Sequence, residues 1–468
     1  MKITFYGAAQ GVTGSKHLIE VGDFKLLLDC GMHQGRRQES NTLNKELPFD
    51  ASGIDAVILS HAHADHCGML PVLVRDGFAG KIYCTAATAD IAKFILEDTA
   101  GIQENDAKYF NKHLLPGQPS IEPLYTQRDV KKVGGYFQPV PYFRLSQQWT
   151  RLNENIRFKF YDAGHILGSV VTLLEITENG QTKNLAFTGD LGRHFLPILR
   201  DPEFVTESAE ILITEATYGN RIHRPVTDLE ADLKQIIAEA VTKKSKIIVP
   251  AFSLGRTQEL LYMLHKLLDK NEIPSLPIFV DSPLSQKITR VFGTYTSDFD
   301  EEFWKDFGEK GEGAFVFDGL TITGSIEESK KINDTDGPCI IIAGSGMCEG
   351  GRILHHLKNN IEGPNNIILI TGYQAEGTLG RKLIKGVNPV RIFGVEYPVK
   401  AQIKILNELS AHADQKDLLS YVEHIQGLKN IFLVHTELPQ AEGFKEAVLT
   451  QHLGLSVEIP HMGQEFEV

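Results

Sequence analysis

Short apolar runs broken by Gly and Asp dominate the first part of the chain. "MKITFYGA", "KHLIEVGDFKLLLDCG" and "IDAVILSHAH" alternate or run apolar, which predicts strands joined by tight turns. Within "GVTGSKHLIEVGDFKLLLD" the break at Gly22-Asp23 predicts a hairpin. "TADIAKFILEDTAG" has helical spacing. Between residues 104 and 150 the chain turns polar, aromatic and proline-rich. There the pattern predicts a long covering loop with one short helix, "TQRDVKKVGGYF". Strands return at "IRFKFYDAGH", "SVVTLLEIT" and "KNLAFTGDLG".

Near residue 220 the pattern changes. Apolar strands ("KIIVPAF", "LPIFVDSP", "CIIIAGSG", "NIILITGY") alternate with helical stretches ("TDLEADLKQIIAEAV", "RTQELLYMLHKLLD", "GGRILHHLKN", "AEGTLGRKLI"). Such alternation predicts a parallel sheet covered by helices on both faces. After residue 400 short elements resume: "VKAQIKILNEL", "DQKDLLSYVEHI" and "KNIFLVHTE". The tail "LSVEIPHMGQEFEV" is expected to close as one strand. The chain therefore divides into a first domain over 1–218, an inserted domain over 219–400, and a return to the first over 401–468.

Length supports this division, since 468 residues exceed what one core serves. Apolar content of 42 % and charged content of 23 % fit a folded globular protein. The net charge of −13 excludes a generally basic nucleic-acid coat but leaves room for a local basic groove. Five cysteines form no CxxC pair, and their odd number suits a reducing cytoplasm better than a disulfide framework. No apolar run has the ~18–20 residues of a membrane span.

The candidate chemistry begins at "SHAHADHCGM", where His61, His63, Asp65 and His66 follow the apolar run "DAVILS". Ligands need a rigid support, and the end of a core strand supplies one. Imidazole and carboxylate suit zinc, and these four residues can fill one site. Ligands alternating on a tight turn also point in different directions, which suits two metals. Three further candidates close other apolar runs: His165 in "GHILGS", Asp190 in "TGDLG" and His435 in "FLVHTE".

HxHxDH with a preceding "LLLDCG", then "GHILGS" and "TGDLG", resembles the metallo-β-lactamase superfamily. The later blocks resemble its β-CASP nucleases, a family that includes the nuclease subunit of the cleavage and polyadenylation specificity factor and ribonuclease J. The resemblance implies an α/β fold, a metallo-β-lactamase αββα sandwich with an inserted β-CASP domain of the doubly wound, parallel-sheet kind. It also implies two zincs per chain. One would be held by His61, His63 and His165, the other by Asp65, His66 and His435, with Asp190 bridging. Asp65 would be both ligand and catalytic carboxylate. Asp29 would orient ligands through hydrogen bonds. Flavo-di-iron relatives carry Glu where this chain has His63. Lactam-hydrolysing relatives usually carry Cys where this chain has Asp190.

Glu215 in "LITEATYGN" matches the first β-CASP motif, an acid expected to support the site by bonding a metal-bound His. His412 in "LSAHADQKDL" matches the second motif and is the expected general acid, because His titrates near working pH. His435 doubles as the third. The family usually has Gly after that His; here Thr436 follows, leaving the ligand intact but able to shift the turn.

Loops at predicted strand ends are the candidate phosphate sites. They are Ser253, Gly255 and Arg256 in "PAFSLGRTQELL", Ser282 in "DSPLS", Ser345 and Gly346 in "IAGSGMCEGGR", and Gly372 and Tyr373 in "TGYQAEGTLGR". Ser410 of the "SAHAD" block joins this set. Open α/β sheets bind ligands at their carboxyl ends, and Arg221, Arg224, Arg256, Arg352 and Arg381 would make such a groove basic. The reading is a zinc-dependent ribonuclease acting on single-stranded RNA, with water activated between two metals and His412 protonating the leaving oxygen. A DNA nuclease of the same family, a non-catalytic scaffold and a small-molecule hydrolase are the rivals. The expected partner is RNA, with no membrane. A homodimer is compatible with the sequence.

Overall fold

The alternating run after residue 15 folds as its period requires. Lys16–Val21 pairs antiparallel with Phe24–Leu28, Val21 lies opposite Phe24, and Gly22 supplies the positive φ of the turn. The structure is a computed structural model that describes residues 1–35, 37–114, 118–225, 227–308, 311–406, 410–452 and 454–468. It divides into two compact units. The first comprises Met1–His194, Asp201–Ile222 and His412–Val468; the second comprises Phe195–Arg200 and His223–Ala411.

The first unit holds two seven-stranded sheets. One runs in the order Gln464–Glu467, Lys2–Gly7, Lys16–Val21, Phe24–Leu28, Ala56–Ile58, Lys81–Cys84, Phe137–Pro139. The other runs Ser456–Glu458, Asn430–Val434, Ile211–Glu215, Gln181–Phe187, Val170–Glu178, Ile156–Asp162, Thr150–Arg151. Their inner faces meet in one core. Phe5, Ile19, Leu26 and Ile58 come from the first sheet, and Phe158, Phe160, Leu174, Phe187 and Phe432 from the second. The outer face of the second sheet packs Val171, Leu173, Leu212 and Leu433 against Leu418 and Tyr421 of helix Gln415–His424 and Phe444 of helix Leu438–Gln451. On the other side, helix Ala86–Lys112 packs against the edge strand Phe137–Pro139. These layers form the αββα sandwich.

The second unit is built on six parallel strands in the order Leu320–Ile322, Ile278–Asp281, Cys339–Ala343, Lys246–Pro250, Ile367–Ile370, Gln402–Ile405. Cys339–Ala343 and Ile367–Ile370 are buried throughout, as strands covered on both faces must be.

Four expectations change. Helix Ala86–Lys112 runs well past its predicted end. The stretch expected to be mostly loop also holds strands Phe137–Pro139 and Thr150–Arg151 and helix Phe143–Ser146, besides the expected helix Gln127–Val133; residues 115–117 lie outside the described residues. The tail forms two strands. Ser456–Glu458 pairs parallel in one sheet and Gln464–Glu467 antiparallel in the other, so the chain end joins both layers. The return expected at residue 401 comes later, because Gln402–Ile405 pairs with Ile367–Ile370 and the units part after Ala411. Residues 407–409 of that predicted element are not among those described. Helix Pro283–Thr294 is also new, and Ser282 caps it by accepting a bond from Ser285 N–H at 3.1 Å. Among the described residues no helix is long and apolar enough to cross a membrane.

Candidate metal centre

Strand Ala56–Ile58 delivers His61 to the edge of the core, and His63 then starts the four-residue helix Ala64–Cys67. This short helix is clamped through its carbonyls. Asp65 O accepts Ser15 N–H at 2.8 Å, His66 O accepts Cys30 N–H at 2.8 Å, and Ala64 O accepts Met32 N–H at 2.9 Å. Gly31 is dictated by this clamp, since a Cβ there would lie 1.5 Å from Asp65 O. Likewise a Cβ at Gly192 would lie 2.0 Å from Gly164 O, so the loops carrying Asp190 and His165 press backbone to backbone. These contacts give "LLLDCG" and "TGDLG" a structural reason.

All seven expected ligands meet inside the first unit. One donor atom each from His61, His63, His165 and Asp190 lie within 4.8 Å of one another; so do those of Asp65, His66 and His435. Asp190 faces both groups. Its Oδ2 stands 3.5 Å from His61 Nε2 and 3.5 Å from His165 Nε2, and its Oδ1 stands 3.3 Å from His66 Nε2. Asp65 Oδ2 is 3.5 Å from His435 Nε2.

The donor set passes a test for bound cations. Asp190 Oδ1, His66 Nε2 and His435 Nε2 are buried and find no hydrogen-bond partner among the described residues. Unpaired buried polar atoms are costly unless something else satisfies them. Burial drives His61 and His165 well below the ordinary imidazole range and His63 down to about 4, which favours the neutral, ligating form. Burial opposes the Asp190 carboxylate, but His435, His66 and His61 outweigh it and hold the group ionised.

The far sides of His61, His66 and His435 are tied down. Asp29 Oδ2 bonds His66 Nδ1 at 2.7 Å, and Asp29 accepts from Ser60 N–H at 2.7 Å, Ser60 Oγ at 2.9 Å and Ser15 Oγ at 3.2 Å. Ser60 Oγ also lies 3.0 Å from His61 Nδ1. Thr217 Oγ1 donates to His435 O at 2.9 Å and stands 3.0 Å from His435 Nδ1, leaving Nε2 as the unpartnered nitrogen. The hydroxyls of Ser15, Ser60 and Thr217 escaped the sequence reading. Their only signal there is adjacency: Ser60 precedes His61, and Thr217 follows Glu215 by two.

Glu215 bonds none of the seven expected ligands, but His412 instead. Its fully buried carboxylate accepts from Leu191 N–H at 2.7 Å and holds His412 Nδ1 at 3.0 and 3.1 Å. His412 Nδ1 is 3.9 Å from Asp190 Oδ2, and the residue also falls within 4.8 Å of Asp190 and His435. Burial pushes His412 down, yet Glu215 more than offsets it and the ring is pushed up to about 9. Thr436 keeps the turn after His435 closed, because its buried hydroxyl donates to Ala216 O at 2.8 Å.

The strand-end loops of the second unit divide. Ser253 Oγ lies 3.0 Å from Ser282 Oγ, and a Cβ at Gly344 would lie 3.5 Å from Ser253 Oγ, so three adjacent strand ends converge. A Cβ at Gly346 would strike the Phe252 ring at 2.5 Å. Ser345 Oγ accepts from Glu349 N–H at 3.1 Å, Tyr373 is half-buried and Ser410 buried. Arg256, however, is buried and paired with Glu259, Arg352 is bound to Asp281 at 2.5 Å, and Arg224 pairs with Asp228 and Asp232. Those three cations are engaged within the protein rather than presented for phosphate.

Comparisons with known proteins agree with this architecture. Residues 13–251 match the metallo-beta-lactamase superfamily, residues 257–383 the Beta-Casp domain, and residues 396–460 the Zn-dependent metallo-hydrolase RNA specificity domain. Ribonuclease TTHA0252 of Thermus thermophilus is 35 % identical over 437 residues, covering 93 % of each chain. Transcription termination factor FttA of Methanocaldococcus jannaschii is 29 % identical, covering 96 % of this chain and 69 % of that one. Endoribonuclease YSH1 of Eremothecium gossypii is 29 % identical, covering 96 % of this chain and 56 % of that one.

Proposed function

The chain belongs to the metallo-β-lactamase superfamily and carries Beta-Casp and RNA specificity domains, and on that premise we propose that it is a zinc-dependent ribonuclease hydrolysing phosphodiester bonds of single-stranded RNA. One observation carries this reading: seven His and Asp donors converge, with unpartnered atoms at their centre, beside a histidine that is held by a buried carboxylate. The relatives named above are a ribonuclease, an endoribonuclease and a termination factor, which points to RNA.

His61, His63 and His165 would hold one zinc and Asp65, His66 and His435 the other, with Asp190 between them. Metals so held supply Lewis acidity toward a phosphoryl oxygen and lower the pKa of water. Asp29, Ser60 and Thr217 fix the rings and carboxylates so that the ligating atoms face inward. Glu215 occupies His412 Nδ1, so Nε2 is the atom that gives its proton to the departing 3′ oxygen, leaving a 5′-phosphate on the other product. Ser253, Ser282, Ser345, Gly346, Tyr373 and Ser410 are the proposed contacts to the RNA backbone. The five buried cysteines, all without a disulfide, suit a reducing cytoplasm.

The test uses metal-loaded protein with RNA labelled at either end, a circular RNA and DNA of the same sequence. RNA should be cut and DNA should resist, while elemental analysis finds about two zincs per chain. Cleavage of the circle would identify internal cutting. Full activity after thorough chelation, or turnover of β-lactams with RNA untouched, would overturn the proposal.

A further inference from the structure

On the far side of Tyr218 from His412 the first unit carries a cation that the charge pairs among the described residues leave unused. Arg221 is exposed, and among the described residues it has no carboxylate partner. Its guanidinium lies over the Tyr218 ring, 5.4 Å from the centroid. Tyr218 is itself only 6 % exposed, and its ring centre is 6.2 Å from that of His412. The three side chains form a short row, with the Tyr218 ring tilted 57° to that of His412, that leads from the proposed proton donor to the exposed Arg221.

The backbone holds this row in place. Arg221 N–H bonds Tyr218 O at 3.1 Å, closing a turn, and Arg221 O accepts Gln415 N–H at 3.0 Å. Gln415 Nε2 donates to Gly219 O at 2.8 Å, and Tyr218 bridges Asp414. Gly219 has to be glycine, because a Cβ there would meet Phe444 Cβ at 2.6 Å and Gln440 O at 2.8 Å. The turn from 218 to 221 is thus fastened to the same segment that carries His412. A guanidinium placed on a buried ring loses little side-chain freedom when it binds and keeps its fork free for an anion. Of the other arginines the sequence singles out, Arg224, Arg256 and Arg352 are all spent on carboxylates, which sets Arg221 apart.

We propose that Arg221, seated on Tyr218, binds the phosphate one nucleotide upstream of the scissile bond. The assignment rests on the ribonuclease reading, in which His412 faces the ribose whose 3′ oxygen departs. A cation held over Tyr218, one ring away from His412, then meets the phosphate on the 5′ side of that same ribose. It is a subsite for the leaving strand, and it favours a substrate that continues upstream over a bare phosphodiester.

The experiment compares metal-loaded wild-type protein, Arg221→Ala and Arg221→Lys on a short single-stranded RNA and on bis(p-nitrophenyl) phosphate, which has no upstream phosphate. Arg221→Ala should raise KM for RNA roughly 10–100-fold, the scale of one charge-assisted hydrogen-bonded contact. The loss on RNA should exceed that on the ester by at least about 10-fold. The log–log dependence of kcat/KM on salt should flatten by about 0.7, as for one lost phosphate contact on a single strand. Arg221→Lys should lie between, keeping charge but not the stacked fork. An RNA with a neutral methylphosphonate at the upstream position should reproduce the Ala defect in wild type and add nothing to it in Arg221→Ala. An unchanged KM and salt slope, or equal losses on RNA and ester, would overturn the subsite while leaving the nuclease reading intact. Wild-type protein that splits the ester but no RNA would overturn both.

Discussion

Two buried aspartates, Asp190 and Asp281, each end a strand region and each gather histidine around a carboxylate, yet they differ in what satisfies them. Asp281 is fully hydrogen-bonded: His356 Nε2 at 2.6 Å, Ser329 Oγ at 2.6 Å, Arg352 Nη1 at 2.5 Å and the Thr323 hydroxyl. Burial opposes its charge, and these donors overcome that and hold it below the usual carboxylate range. Asp190 is met by four histidines at 3.3 to 3.5 Å, and its Oδ1 has no hydrogen-bond partner among the described residues. Both oxygens of Asp281 are satisfied by protein donors. The cluster around Asp190 has donor atoms that only a cation would satisfy together. Counting His and Asp residues would not separate the two; the satisfaction of individual atoms does.

Removing each carboxylate is the sharpest way to break that contrast. Asp190→Ala should lose bound metal and lower RNA cleavage by roughly 10⁴-fold or more, as several kcal/mol of charge stabilisation go with the metals. Asp281→Ala should instead cost about 3–5 kcal/mol of stability, because buried His356 and half-buried Arg352 are left without their shared carboxylate. Elemental analysis beside thermal denaturation reads both. Metal loss in Asp281→Ala would erase the distinction.

His412 extends the comparison to a histidine that sits beside the centre. His412→Ala should lower the rate by roughly 10²–10⁴ with metal content retained, whereas His435→Ala should lose metal and activity together. The pH profile carries the sign. His412 keeps its proton below about 9 and loses it as pH rises through that value, so the limb that needs a donor falls on the alkaline side. Glu215→Gln removes the main influence raising the ring, and the alkaline limb should move to lower pH. A limb that stays put would mean another group supplies the proton.

A smaller effect is expected where a ligand is held from behind. Asp29→Asn and Thr217→Val should each weaken metal binding by roughly 10–100-fold, measured by competition with a chelator of known affinity. Unchanged affinity in both would show that the rings keep their orientation without these partners. Smallest of all, Thr436→Gly should leave metal content alone and cost about 0.5–1.5 kcal/mol, since Ala216 O loses one of two donors and keeps Gly219 N–H. Loss of metal in that variant would show that the hydroxyl also positions His435.

Much of this was legible from periodicity and spacing. The hairpin about Gly22, the strands ahead of His61, His165, Asp190 and His435, and the parallel strands after residue 220 all appear where the apolar runs lie. Three things were not. The partner of Glu215 depends on a residue 197 positions away in the chain. The fate of Arg256 depends on whether Glu259, one helical turn on, turns toward it. The split of the tail between two sheets depends on which edges are open to it.

By itself the sequence determined element types and the chemical alphabet of the site. Both follow from local rules, a residue's periodic neighbours and its donor atoms, which any conformation of the chain carries. Only the tertiary structure decided which of these donors would stay unsatisfied. Asp190 and Asp281 have the same side chain at similar places in their strands' course. What separates them is which groups from distant segments pack around each one, and a buried polar atom is priced by those neighbours alone.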